Sequence, residues 1–160
     1  MQKNYFFTIF TPTKPYLMKK IYLASSWRNN IQQKYVKLLR EAGFEVYDFK
    51  HPTNTEMLGF HWEDVDAKFR EWSVKDYQQG LTHPVSELGF KRDLDAMLWA
   101  DVCVLLLPCG RSAHAEAGWM KGAGKRVFVV MEHLEEPELM YKLFDGVCSG
   151  IEELLEALKE

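Results

Sequence analysis

Two uninterrupted apolar runs, residues 102–107 (VCVLLL) and 127–130 (VFVV), constrain this chain more than any other feature of its sequence. A strand with one wet face alternates apolar and polar residues, so a continuous run indicates a strand buried on both faces. Shorter strand-like runs lie at 21–24 and 44–49, and a weak one near Val147. Segments of helical period separate them. One opens near Trp27 and Arg28, carries Ile31, Tyr35, Val36, Leu38 and Leu39 on its apolar face, and stops at Gly43. Others cover 86–100, 112–123 and 151–158.

Strands alternating with helices require crossover connections, which are right-handed and build a parallel sheet covered on both faces. The expected architecture is α/β: a doubly wound five-stranded parallel sheet, flavodoxin-like, with strand order 2-1-3-4-5. Ligands of such sheets bind at the carboxyl ends of the strands, beside the switch between the first and third. That places the chemistry in the loops after Ala24, Phe49 and Leu107.

The 160 residues suit one domain. We expect it to occupy residues 18–160, because a natural first strand follows Met18. Residues 1–17 contain Pro12 and Pro15 and no clear period, and read as an N-terminal extension without the pattern of a secretory signal. A net charge of −3 with no basic stripe argues against nucleic acid as the main partner. No run approaches the ~18 apolar residues of a membrane span. Cys103, Cys109 and Cys148 are odd in number, and two lie in strand-like runs, so they read as reduced thiols of a cytoplasmic protein.

Two acids stand out by their surroundings. On a helix, Glu116 shares its face with Ser112, Ala113, Trp119 and Met120, and with Ser112 as N-cap it falls one residue beyond the capping-box position. It reads either as an ionised nucleophile near a helix start or as a buried structural carboxylate. Asp93 lines up with Gly89, Phe90, Ala96 and Met97, as a desolvated general acid or an ordinary boundary aspartate. Asp95, by contrast, shares a face with Lys91 and Arg92 and reads as solvated.

Ser25, Ser26 and Arg28 sit between the first strand and its helix, where hydroxyls, amides and a guanidinium make an anion site. The alternative is a capping Ser26 and a solvated Arg28. Residues 122–125 (GAGK) end a helix rather than open one, so they are a helix stop and not a phosphate loop. The cysteines and histidines have no metal-ligand spacing. The long connection 51–84 holds Phe60, Trp62, Phe69, Trp72 and Tyr77, and reads either as a lid or binding wall or as a surface helix over 62–72.

Three segments, 21–28 (IYLASSWR), Asp93-Leu94 before 100–104 (ADVCV), and 110–118 (GRSAHAEAG), resemble in order the motifs of the nucleoside 2-deoxyribosyltransferase superfamily. The resemblance runs from about Met18 to Val130. It implies the same flavodoxin-like fold and an enzyme that breaks the N-glycosidic bond of a deoxynucleoside or deoxynucleotide. By that resemblance Glu116 is the nucleophile that attacks C1′, Asp93 the acid serving the departing base, and Tyr22 the tyrosine that holds nucleophile and sugar. Trp27 is similar to the transferase branch. Ser26 and Arg28 are similar to the phosphate-binding residues of a branch that hydrolyses deoxynucleoside 5′-monophosphates.

That hydrolase branch carries a serine six residues before the nucleophile, where this chain has Gly110; Arg111 and Ser112 stand close enough to substitute. The resemblance implies no metal or organic cofactor. It also implies a homodimer or larger homo-oligomer, because active sites of the family are completed by a neighbouring subunit. A non-catalytic nucleotide-binding module is the competing expectation.

Overall fold

The computed structural model describes residues 19–52 and 59–160; the expected extension 1–17 lies outside them. Five parallel strands, β1 (Lys20–Ala24), β2 (Glu45–Tyr47), β3 (Val102–Leu106), β4 (Arg126–Val130) and β5 (Gly146–Cys148), form one sheet in the order β2-β1-β3-β4-β5. This is the order expected from the alternation of elements. β3 is buried along its whole length, as its unbroken apolar run requires, whereas edge strands β2 and β5 are only three residues long.

Side chains alternate across the sheet and divide the core in two. On one face Ile21, Leu23, Val104, Phe128 and Val130 pack against α1 (Gln32–Glu41) and α5 (Ile151–Lys159) through Tyr35, Leu39, Leu154 and Leu158. On the other, Tyr22, Cys103, Leu105, Val127 and Val129 meet α3 (Pro84–Trp99) and α4 (Arg111–Gly122) through Ala96, Met97, Ala113, Ala117 and Met120. Burying each large aliphatic side chain contributes about 1.5–3 kcal/mol. The small residues of α3 and α4 let both helices, and the acids they carry, lie close to the sheet.

Both helix stops read from glycine hold. Gly43 (φ +92°) and Gly124 (φ +80°) take the left-handed conformation after α1 and α4. The following amides, Phe44 N and Lys125 N, then reach back to Leu39 O and Met120 O in Schellman fashion. The Lys125 ammonium in turn donates to the carbonyls of Met97, Leu98 and Ala100, closing the C-terminus of α3.

Three element starts differ from expectation. α1 begins at Gln32 rather than near Trp27, because Asn29 Oδ1 accepts Ile31 N–H at 2.9 Å and Asn29 N donates to Ser26 O, winding the preceding residues into a turn. α3 starts at Pro84, two residues early, since proline suits the first helical position and His83 Nδ1 accepts Val85 N–H. α4 starts at Arg111 with Gly110 as N-cap, so Ser112 is inside the helix.

Of the two readings of the long connection, the surface helix over 62–72 is absent. Two 3-10 turns, Trp62–Asp64 and Phe69–Glu71, replace it, and α2 (Val74–Leu81) follows. Asp66 bends this stretch by accepting Lys68 N–H and Trp72 Nε1–H, while a Ser73/Asp76 capping box fixes the helix start beyond Trp72. Edge-to-face contacts of Trp62 with Phe60, Trp72 and Tyr77 supply the packing.

Candidate active site

A cavity of about 550 Å³ opens at the carboxyl ends of β1 and β3. Tyr22, Ser25, Ser26, Trp27 and Arg28 line it from β1 and its loop, Asp93 from α3, and Ser112 and Glu116 from α4. Eight of the ten residues named from the sequence thus meet in one place. Gly110 and Arg111 do not line it. Gly110 caps α4 and its carbonyl engages His114 Nδ1 at 2.8 Å, and Arg111 is exposed on the first turn. A larger hollow of about 690 Å³ lies outside the β2 edge, by Arg40, Phe44 and Trp99, and contains none of the ten.

The two acids have unlike surroundings, and the desolvation expected at Asp93 falls on Glu116. Burial and the nearby Asp93 charge push the Glu116 carboxyl from its ordinary 4.5 up to about 8, and the Tyr22 hydroxyl offsets only part of this. With the helix starting at Arg111, Glu116 stands in the second turn, where the helix dipole has faded. Asp93 is the better supported carboxylate: Tyr47 Oη donates to its Oδ1 at 2.7 Å, and Arg92 Nε and Nη2 approach the same oxygen at 3.4 Å.

Tyr22 is 2% exposed and stacks on Tyr47 with ring centroids 5.3 Å apart. Its phenol is raised well above 10 by burial, then by Glu116 and Asp93, and so stays a hydrogen-bond donor at all ordinary pH.

The β1–α1 loop is a turn, so the Ser26 and Arg28 amides are not helix N-terminal groups as expected. Ser25 Oγ donates to Leu106 O at 2.9 Å and accepts from Asn29 Nδ2 at 3.0 Å, which ties the loop to the end of β3. Asn29, 1% exposed, also donates to the carbonyls of Leu106 and Pro108. Ser26 Oγ accepts Arg28 N–H at 3.2 Å. The Arg28 guanidinium is exposed at the cavity and has no ion-pair partner among the described residues.

The long connection forms a wall over this loop. Trp27 packs edge-on against Phe49 and tilted against His61, at 5.3 and 5.0 Å between centroids. Gly59 (φ +71°) lies against the Trp27 indole so closely that any Cβ there would overlap the ring. Phe49, Phe60, His61, Trp62, Glu63, Phe69, Arg70 and Arg92 complete the lining. The aromatic run and His61 were visible in the sequence as part of a lid or binding wall, but Phe49, Glu63, Arg70, Arg92 and the supporting Tyr47 were not identified. In the β1–β2 register Tyr47 pairs with Tyr22.

Among the described residues no group of three or more His, Cys, Asp or Glu side chains gathers as a metal site. Cys109, mainly by burial, is pushed up to about 12 and stays a thiol. Among the described residues no helix is long and apolar enough to cross a membrane.

No protein-family model matches the chain, and neither does any curated protein. Among solved structures it is similar to the 2-deoxyribosyltransferase of the psychrotolerant bacterium Bacillus psychrosaccharolyticus, with a TM-score of 0.53 and 23% identity over 80% of this chain and 84% of that one. That likeness shows a shared fold. The CMP N-glycosidase of Clostridium botulinum aligns with a TM-score of 0.49 and 18% identity, over 89% of this chain and all of that one.

Proposed function

We propose that this chain cleaves the N-glycosidic bond of a deoxynucleoside through a covalent glycosyl-enzyme on Glu116 and passes the deoxyribose to another base. The observation that carries this reading is the meeting of Glu116 and Asp93, in unlike surroundings, in one aromatic-walled cavity at the sheet's switch point. In the first step a Glu116 oxygen bonds to C1′ as the C1′–N bond breaks, and the departing base takes its proton from Asp93. In the second the incoming base attacks C1′, returns a proton to Asp93, and Glu116 leaves as carboxylate. The chemistry parallels retaining glycosidases, with a nucleophile and a proton donor on opposite sides of the scissile bond.

Burial and the Asp93 charge favour the protonated form of the Glu116 carboxyl in the free chain at neutral pH. Attack requires the ionised form, so Glu116 must give up that proton as the substrate is engaged. Tyr22, kept as a donor, steadies the ionised Glu116 during attack. Aromatic rings from Trp27, Phe49 and Phe60 offer the base stacking surfaces and reduce competition from water.

A second reading, hydrolysis of deoxynucleoside 5′-monophosphates, is favoured by one observation. Arg28 and Arg70 line the cavity from separate segments, and among the described residues the ion pair of Arg70 is a 3.6 Å contact with Glu63. Two such guanidiniums suit a phosphate, with Ser26 and Ser112 as hydroxyl partners.

Incubation with a panel of deoxynucleosides and their monophosphates, with and without an acceptor base, tests both readings. Exchanged base supports transfer, and released base without exchange supports hydrolysis. Binding without turnover would leave a nucleotide-binding module instead. We further infer a homo-oligomer, since Leu88, Phe90 and Leu98 of α3 are exposed in the single chain, and sedimentation would decide its size. Three free thiols fit a reducing compartment, and we place the protein in the cytoplasm.

A further inference from the structure

We infer that Tyr47 is a positioning residue that selects which oxygen of Asp93 faces the departing base, an inference that rests on the reading of Asp93 as the acid. An aspartate carboxyl can turn about its last torsion and offer either oxygen with nearly equal ease. Here the two oxygens are not equivalent. Oδ1 accepts the Tyr47 hydroxyl at 2.7 Å and faces both Arg92 donors at 3.4 Å, whereas Oδ2 has no hydrogen-bond partner among the described residues. An oxygen already accepting from donors is a poor seat for a further proton. The proton that Asp93 delivers therefore belongs on Oδ2, the oxygen left for a ligand.

The position of Tyr47 explains why its hydroxyl can hold this geometry. It ends β2 in register with Tyr22, and the rings stack at 18° between planes on the face of the sheet beneath α3 and α4. Burial and Asp93 raise its phenol far above 10, so it remains a donor while Asp93 gains or loses its proton. Glu87, Lys91 and Asp95 belong to α3 as well, but none of them donates to or accepts from Asp93. A single side chain of β2 thus touches the proposed acid through its hydroxyl and the tyrosine beside the proposed nucleophile through its ring.

Tyr47→Phe removes the hydroxyl and keeps the ring. It is to be compared with wild type on two deoxynucleosides, one with an ordinary base and one with an electron-poor base that leaves without protonation. The expected result is a kcat about tenfold or more lower on the ordinary base, in line with loss of a hydrogen bond to a charged group. On the electron-poor base kcat should stay within about threefold, KM within about twofold on both, and Tm close to wild type.

Equal kcat losses on both substrates would overturn the inference and leave Tyr47 supporting the sugar or the nucleophile. Wild-type behaviour of Tyr47→Phe would overturn it too, assigning the ring alone a role, which Tyr47→Leu would then reveal. If wild-type protein cleaves neither substrate, the glycosidase reading fails first and takes this inference with it. Cleavage by wild type with a flat Tyr47→Phe profile refutes the inference alone.

Discussion

The charge of Asp93, reaching across from α3, is the second of two causes that hold the Glu116 carboxyl of α4 up at about 8, after burial itself. The acids belong to different helices on the same face of the sheet, so the charge on Asp93 bears on the protonation of Glu116.

Replacing the nucleophile should end turnover without unfolding the chain. Glu116→Gln keeps the shape of the side chain and is expected to lower kcat by about a thousandfold or more. Intact-mass measurement after brief exposure to substrate should find a deoxyribosyl adduct on wild type and none on the variant. Activity above about a tenth of wild type, roughly 1.4 kcal/mol in the barrier, would remove Glu116 from that role.

Stability should depend on pH through the same residue. Unfolded, Glu116 titrates near its ordinary 4.5, and folded near 8. Between these values the folded chain holds the extra proton, so its stability is highest below about 4.5, declines as pH rises, and levels off above about 8. Glu116→Gln lacks this loss. Thermal melts should place its Tm about 4 °C or more above wild type at pH 9 and near wild type at pH 4.5. A constant difference across that range would show that the carboxyl is not desolvated.

Activity should have an alkaline limb. The productive pair carries one proton, and kcat/KM, which reports the free enzyme, is expected to fall as pH rises through about 8. An electron-poor leaving base should weaken that limb, because it needs no proton from the pair. A rate that climbs steadily above pH 8 on ordinary bases would mean that ionised Glu116 works without an acid.

Asn29 should matter more than its distance from the two acids implies. Its amide joins Ser25, Leu106 and Pro108, and its carbonyl seats Ile31 N–H at the start of α1. Asn29→Ala leaves buried groups unpaired and is expected to cost about 1–3 kcal/mol in chemical denaturation. Because Trp27 and Arg28 ride on the same loop, KM should rise as well. An unchanged KM would mean that the loop holds its shape without the amide.

Arg28→Ala separates the two substrate readings. If Arg28 meets a 5′-phosphate, kcat/KM for monophosphates should fall about ten- to hundredfold while nucleosides barely change. Equal effects on both would leave Arg28 without a phosphate role.

The sheet was legible because its evidence is local: VCVLLL and VFVV have the pattern of strands buried on both faces, and Gly43 and Gly124 supply the left-handed backbone that ends their helices. The faces of two helices likewise singled out Glu116 and Asp93, which the fold brings to one cavity. Features that depend on distant partners were hidden. Ser26 looked like a helix cap because nothing in the sequence tells that Asn29 would bond to Leu106 and Pro108 and delay the helix. Tyr47 donates to Asp93 Oδ1 from 46 residues away, beside the Arg92 donors, and no local pattern encodes that meeting. The turn-rich path from Trp62 to Trp72 follows from Asp66 reaching two donors at once, a contact no periodicity encodes.

The glycine pressed against Trp27 links variation in two distant parts of the gene. Any larger residue at 59 would displace the indole as well as strain its own backbone, so the long connection and the β1–α1 loop cannot drift apart one substitution at a time. A lineage that enlarged the cavity for a bulkier substrate would have to exchange both segments together. Chimeras that swap only one of them should lose binding, while paired swaps retain it.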